Sequence, residues 1–381
     1  MSSDILHGLI LACIGTMGVV TVANLIGFRS LRPGAPPQRA LISVLVPARN
    51  EEKNIGRLLD LLAAQDYGEY EVVVLDDQSE DRTSLIVGEH ARTDPRFRLV
   101  TGRPLAPGWV GKAHACAQLA AAARGEYLLF MDADTHPSPQ ALSAGLADME
   151  RTGADLLTAI PRQRTGSFWE RVLLPILHFS TFSFLPMPLV AITRSPSLSM
   201  ANGQYMLFRR SSYDAVGGHA AVRTALVEDV WLARRIKATG KKLIIRYGGD
   251  IISCRMYGNL REIWEGFSKN IFPGLDYSPV MLAGVVLFTL LSSVVPFILL
   301  GGAMAGWTGP ALPLLEVALI LAIRIGQALR FDLDLWPVVL HPLAMLMFVA
   351  IALNSFAWAV GRGGIRWKGR AYNLNNTRVT S

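Results

Sequence analysis

The chain has 381 residues, 51% of them hydrophobic, and a formal net charge of +7. It is too long for one minimal domain, and its apolar excess sits at the two ends, which points to membrane segments flanking a globular domain rather than to one enlarged core. The basic balance comes without an aromatic and basic recognition motif, which speaks against nucleic acid as a partner, and Cys13, Cys116 and Cys254 have neither metal-ligand nor disulfide spacing.

Residues 5–28 are apolar and uncharged, and Arg29, Arg32 and Arg39 follow them. A run of about 20 apolar residues crosses a bilayer, and Lys and Arg favour its cytoplasmic side. Asp4, with no Lys or Arg ahead of the run, argues against a cleaved signal peptide. Residues 1–30 are therefore expected to be a transmembrane anchor, and 31–40, with "RPGAPPQR", a short stiff linker.

From residue 41 the pattern changes. "LISVLVP", "YEVVVLDD", "FRLVTG" and "EYLLFMD" read as strands, separated by helical patterns in "NEEKNIGRLLDLLAAQ", "SEDRTSLIVGEHAR" and "KAHACAQLAAAARG". Ile55, Leu58, Leu59 and Leu62 share one face of the first helix, and Ser79 stands where an N-cap would open the second. Strands alternating with helices predict an α/β fold, a mostly parallel sheet with helices on both faces. Ligands of such sheets bind beyond the C-terminal strand ends. "PARNEE" from Pro47, "DDQS" from Asp76 and "DADT" from Asp132 each follow a strand directly, so three polar ends converge on one edge.

Each of these stretches alone also suits a cap or turn, and Thr135, His136 and Pro137 suit a loop. Together they permit more. Asp132 and Asp134, two residues apart, can turn toward one cation, and hard oxygen ligands select Mg²⁺ or Mn²⁺, which commonly bridge to substrate phosphates. No glycine-rich phosphate loop occurs in the soluble part, so metal and basic side chains must meet the phosphate charge. Lys112 opens a helix, an unfavourable place for a cation unless an anion is present, and is a candidate diphosphate contact. Glu228 and Asp229 open the helical "EDVWLARRIKATG". Acids there are stabilised by the helix dipole; alternatively one of them takes a proton from an attacking hydroxyl.

Residues 41–257 are thus expected to be the catalytic domain, with an apolar insertion at 167–192. Pro175, Pro186 and Pro188 interrupt that insertion, which reads as an interfacial or re-entrant element where a hydrophobic acceptor could enter. Residues 258–276 predict an amphipathic interfacial helix with Trp264 and Phe267, and 277–361 two to three transmembrane helices. Glu316 and Arg324 weaken one of these spans unless they face protein. A basic tail, 362–381, carries Arg362, Arg366, Lys368 and Arg370 and prefers the cytoplasm. An outside start with a cytoplasmic middle and tail requires an even number of C-terminal crossings, against three candidates.

"SVLVPARNEEKNI", "VVVLDDQSEDRT", "LLFMDADT" and "VEDVWLARRIKATGKKL" resemble, in order and spacing, the motifs of family 2 glycosyltransferases with the Rossmann-like GT-A fold. "PGWVGKAHACAQLA", "ANGQYMLFRRSSYDAVGGHAAV", "LREIWEGFSKN" and "RWKGRAY" are similar to the membrane-bound branch that glycosylates lipid hydroxyls, including carotenoid and hopanoid enzymes. The resemblance implies an inverting transfer of one hexose, with UDP-glucose the expected donor, to a carotenoid or related polyisoprenoid. It implies that Asp77, with Glu51 nearby, contacts the nucleotide, that Asp132 and Asp134 hold nucleotide and metal, and that Lys112 lies near the diphosphate. Asp229 matches the catalytic base, with Glu228 beside it, and Gly203, Gln204 and Trp264 are expected along the acceptor site. The Q/R-x-x-R-W motif of processive relatives is missing from "MYGNLREIWEGFSKN", which favours a single transfer. A multi-pass inner-membrane protein with a cytoplasmic catalytic domain follows. A hopanoid, sterol or sphingolipid acceptor, and a non-enzymatic membrane scaffold, remain as alternatives.

Overall fold

The computed structural model describes residues 3–36, 39–307, 309–361 and 365–372. Arg362, and the tail beyond Tyr372, lie outside them. The chain divides into two compact units: an α/β unit of residues 29–164, 189–256 and 366 onward, and a helical unit of residues 1–28, 165–188 and 257–365.

In chain order the described strands are β1 Ile42–Ala48, β2 Tyr70–Asp76, β3 Phe97–Thr101, β4 Tyr127–Phe130, β5 Thr135–Pro137, β6 Leu156–Ile160, β7 Arg162–Gln163, β8 Met206–Arg209, β9 Leu243–Tyr247, β10 Ile252–Cys254, β11 Ile365–Trp367 and β12 Arg370–Tyr372. Seven form the main sheet, ordered β3-β2-β1-β4-β8-β6-β9. β1 runs parallel to β2 and β4, and β2 parallel to β3, whereas β8 is antiparallel to both β4 and β6. Val44, Leu45 and Val46 are all fully buried. Because consecutive strand residues point to opposite faces, both faces of β1 are covered. Burying a Val or Leu side chain contributes about 1.5–3 kcal/mol, and the helix Ile55–Ala63 adds Ile55, Leu58, Leu59 and Leu62, all on its expected inner face.

Two local expectations are corrected. The helix after β2 begins at Thr83 and not at Ser79. The Asp81 carboxylate accepts the Thr83 N–H (2.9 Å) and hydroxyl (2.5 Å) and so fixes the start, while the Ser79 hydroxyl accepts the Asn50 N–H instead. His136 lies in a strand rather than a loop, since β5 pairs antiparallel with β10 in a small second sheet.

Four helices are long and apolar enough to cross a membrane: Ser3–Gly27, Pro279–Met304, Ala311–Arg330 and Trp336–Gly361. The second is interrupted at Val294, just ahead of Pro296. Within the helical unit the charges of Ala311–Arg330 do face protein. Glu316, fully buried, meets His7 at 2.8 Å, and Arg324 donates to the Pro175 carbonyl at 3.2 Å with its guanidinium over the Phe179 ring. Gln327 donates to Thr21 (3.1 Å) and Ser183 (3.0 Å), and Asn24 to the carbonyls of Phe182 and Leu185. Such interhelical hydrogen bonds hold apolar helices together where the hydrophobic effect cannot discriminate between them.

The insertion 167–192 folds as three short helices, Phe168–Leu173, Pro175–Phe184 and Met187–Ile192. Ser167 and Glu170 form a capping box at the first. The helix Leu260–Gly274 follows in the helical unit, with Asn259 capping it through the Glu262 N–H. Trp264 is half-buried there, and Phe267 is buried against Tyr257, a packing role.

Candidate active site

The sheet topology decides which loops meet. β1, β2 and β4 are parallel neighbours, so the segments that follow them leave from one edge. The Asp77 N–H donates to the Ala48 carbonyl (2.8 Å) and the Met131 N–H to that of Leu45 (3.1 Å), which ties these strand ends together. β8 runs the other way, with Met206 opposite Phe130. Its leading segment, carrying Gly203 and Gln204, is thereby delivered to the edge where Asp132 and Asp134 emerge. The Thr135 hydroxyl locks the two by donating to the Gln204 carbonyl at 3.3 Å.

Asp132 and Asp229, 97 positions apart, converge on one point. A Cβ added to Gly203 would lie 3.7 Å from an oxygen of each and 2.7 Å from the Lys112 ammonium. Lys112 pairs with Asp132 (2.8 Å) and with Glu228 (3.0 Å). Glycine is required at 203 because the carboxylates and the ammonium occupy the space of any side chain. The Gly203 N–H donates to one oxygen of Asp229 (3.1 Å) and the Val230 N–H to the other (2.8 Å), which fixes the direction of that carboxylate. Burial first, then the neighbouring charge of Glu228, pushes the Asp229 pKa up to about 6. Burial alone would lower the Lys112 pKa, but the facing Asp132 and Glu228 outweigh it and hold it well above the ordinary lysine value.

Asp134 differs from Asp132 in having no basic partner among the described residues. Its contacts are two long hydrogen bonds from the Gln204 amide, 3.3 and 3.4 Å. Burial, followed by the charges of Asp132 and Glu51, raises its pKa to about 7. A carboxylate that resists ionising beside two others is one that a divalent cation would settle, and the donor set is hard oxygen, so these residues fit Mg²⁺ or Mn²⁺. No group of three His, Cys, Asp or Glu side chains among the described residues is arranged to hold a metal alone. A cation here would complete its shell with donor and water oxygens.

Glu51 and Asp77 sit at the ends of β1 and β2, and both are ion-paired to the C-terminal β11–β12 hairpin. Arg370 grips the Asp77 carboxylate with both guanidinium arms, 2.5 and 2.9 Å, and Lys368 pairs with Glu51. The sequence reading missed this contact and used the tail only as a topology marker. Gln204, expected along an acceptor path, is buried on Asp134. Trp264 belongs to the helical unit.

A GT-A-type sheet with an aspartate pair at its C-terminal edge defines a nucleotide-sugar-dependent glycosyltransferase, and the comparisons with known proteins agree. Residues 43–217 match the sequence model of glycosyl transferase family 2, and this part of the chain belongs to that family. The chain is similar to proteins named 4,4'-diaponeurosporenoate glycosyltransferase from Staphylococcus aureus. It is 26% identical to that of strain MRSA252 over 356 residues and 25% identical to that of strain USA300 over 355, each time across 88% of both chains. Among solved structures, the mannosyltransferase PcManGT from Pyrobaculum calidifontis, in complex with GDP-Man and Mn²⁺, shares the fold with a TM-score of 0.55 at 20% identity, over 93% of this chain and 99% of that one.

Proposed function

We propose that the protein is a membrane-anchored glycosyltransferase that moves one hexose from a nucleoside diphosphate sugar, UDP-glucose first among candidates, to the hydroxyl of a carotenoid or related polyisoprenoid. The observation that carries the reading is the convergence of Asp132, Lys112 and Asp229 on Gly203. The names of the Staphylococcus aureus relatives support the acceptor class, and the four apolar helices support residence in a membrane, with the positive-inside rule placing the α/β unit in the cytoplasm.

Each residue then has one task. Glu51 and Asp77 receive the nucleoside, and Lys112 meets diphosphate charge. Asp134 and Asp132 would hold a Mg²⁺ or Mn²⁺ ion, which when bound stabilises the leaving diphosphate as a Lewis acid. Asp229, aimed by two backbone N–H groups, takes the proton of the acceptor hydroxyl as its oxygen bonds to the anomeric carbon. The bond from that carbon to the diphosphate breaks on the opposite side, so the configuration inverts and no enzyme nucleophile is required.

Asp229→Asn and Asp134→Ala should each abolish transfer of labelled glucose to lipid extract while leaving the thermal melt unchanged. Full activity in either variant sinks the assignment. Pigment and lipid profiles of a host with and without the gene separate a carotenoid from a hopanoid, sterol or sphingolipid acceptor.

A further inference from the structure

The β11–β12 hairpin is built for one placement. Lys368 and Gly369 link its strands in a two-residue turn with φ of +45° and +78°. Positive φ at both positions marks the tight hairpin turn whose twist matches its strands, and Gly369 occupies the second position, where a side chain would be strained. The two cations on either side of that glycine reach different carboxylates, Lys368 that of Glu51 and Arg370 that of Asp77. Lys368 also donates to the Arg49 carbonyl (2.9 Å), and Arg49 returns a hydrogen bond to the Lys368 carbonyl (3.2 Å). Arg49 further donates to the carbonyls of Asp77 and Gln78, so hairpin and strand ends form one polar network.

We propose that this hairpin is part of the donor site, with Lys368 and Arg370 holding Glu51 and Asp77 ready for the nucleoside and supplying the positive charge that lets an anionic donor settle beside them. The inference rests on the reading of Glu51 and Asp77 as nucleotide contacts. A carboxylate offers about four acceptor positions and a bidentate arginine uses two, so Asp77 keeps room to accept from a base or ribose. Arg370 also keeps Asp77 ionised, as that acceptor must be. A nucleoside diphosphate would otherwise enter against Glu51, Asp77, Asp132 and Asp134 with Lys112 already shared between Asp132 and Glu228.

The test uses the full chain in detergent and measures binding of UDP and of GDP with Mn²⁺ by calorimetry, together with donor KM and kcat. Lys368→Ala/Arg370→Ala should weaken nucleotide binding and raise donor KM by about tenfold or more, with a smaller change in kcat at saturating donor. Arg370→Lys, which keeps the charge and loses the fork, should fall between. Arg370→Gln alone provides the comparison where the double variant does not purify. Unchanged affinity would make the hairpin a tether only, and tighter binding would make it a plug; either overturns the inference. A wild-type chain that binds neither nucleotide removes the donor-site reading itself, and the inference with it.

Discussion

Gly203→Ala is expected to separate catalysis from stability. The added Cβ would lie 2.7 Å from the Lys112 ammonium, and ordinary contact begins at 3.4 Å, so the ammonium must retreat by about 0.7 Å. That retreat disturbs its pairs with Asp132 and Glu228 and its aim at the diphosphate. Misplacement by about 1 Å can cost on the order of 10²-fold in rate, so a fall of roughly 10- to 100-fold in kcat/KM is the expected range. Stability should hold, because the obstructing atom is the end of a flexible side chain and the Gly203 backbone lies outside the left-handed region. Alanine at such a site stabilises by about 0.4–1 kcal/mol through the unfolded chain. The assay pairs transfer of labelled sugar with a thermal melt in detergent. Wild-type transfer with an unchanged melt would refute the convergence at this point, and a collapsed melt would show that the site cannot relax through Lys112.

The pH profile should follow Asp229, whose pKa lies near 6 and which must be ionised to take a proton: kcat/KM should fall tenfold per unit below about pH 6 and level off above it. Glu228→Gln removes a like charge and should move that inflection to lower pH; an inflection that stays put would exclude Asp229 as its source. In the helical unit, His7→Leu should destabilise by about 3–5 kcal/mol by stranding the buried Glu316 carboxylate, and adding Glu316→Leu should recover most of the loss in a melt. Leu59→Ala, in the covered helix beside the sheet, should cost about 2–5 kcal/mol in denaturant titration without altering donor KM.

The parts of the fold written in local periodicity were legible. Ile55, Leu58, Leu59 and Leu62 announce a helix face, and the aspartates after "LLF" announce a strand end, because both signals span only a few residues. The antiparallel insertion of β8 has no such signal, yet it brings Gly203 and Gln204 beside the aspartate pair. Gln204 was therefore set along the acceptor path, although its amide lies on Asp134. The start of the helix at Thr83 turned on which of two nearby side chains, Ser79 or Asp81, wins the free N–H groups, and the carboxylate is the stronger acceptor. The ion pairs of Arg370 and Lys368 close over 293 and 317 residues, and no spacing rule reaches so far.

The hairpin also restricts how the chain can be threaded. The chain leaves the α/β unit after Met256 and rejoins it at Arg366. With the apolar helices in a bilayer as proposed, both ends of that excursion lie on one side, and the crossings between them come in pairs. Three helices in that stretch are long enough to cross, so one of them must turn back or lie along the membrane. Pro279–Met304 is the one already broken: its pieces of 15 and 10 residues extend about 22 and 15 Å at 1.5 Å per residue, each short of a hydrocarbon core of about 30 Å. Ala311–Arg330 and Trp336–Gly361 then make the return journey, and the second of them hands the chain back to the donor site it helps to close.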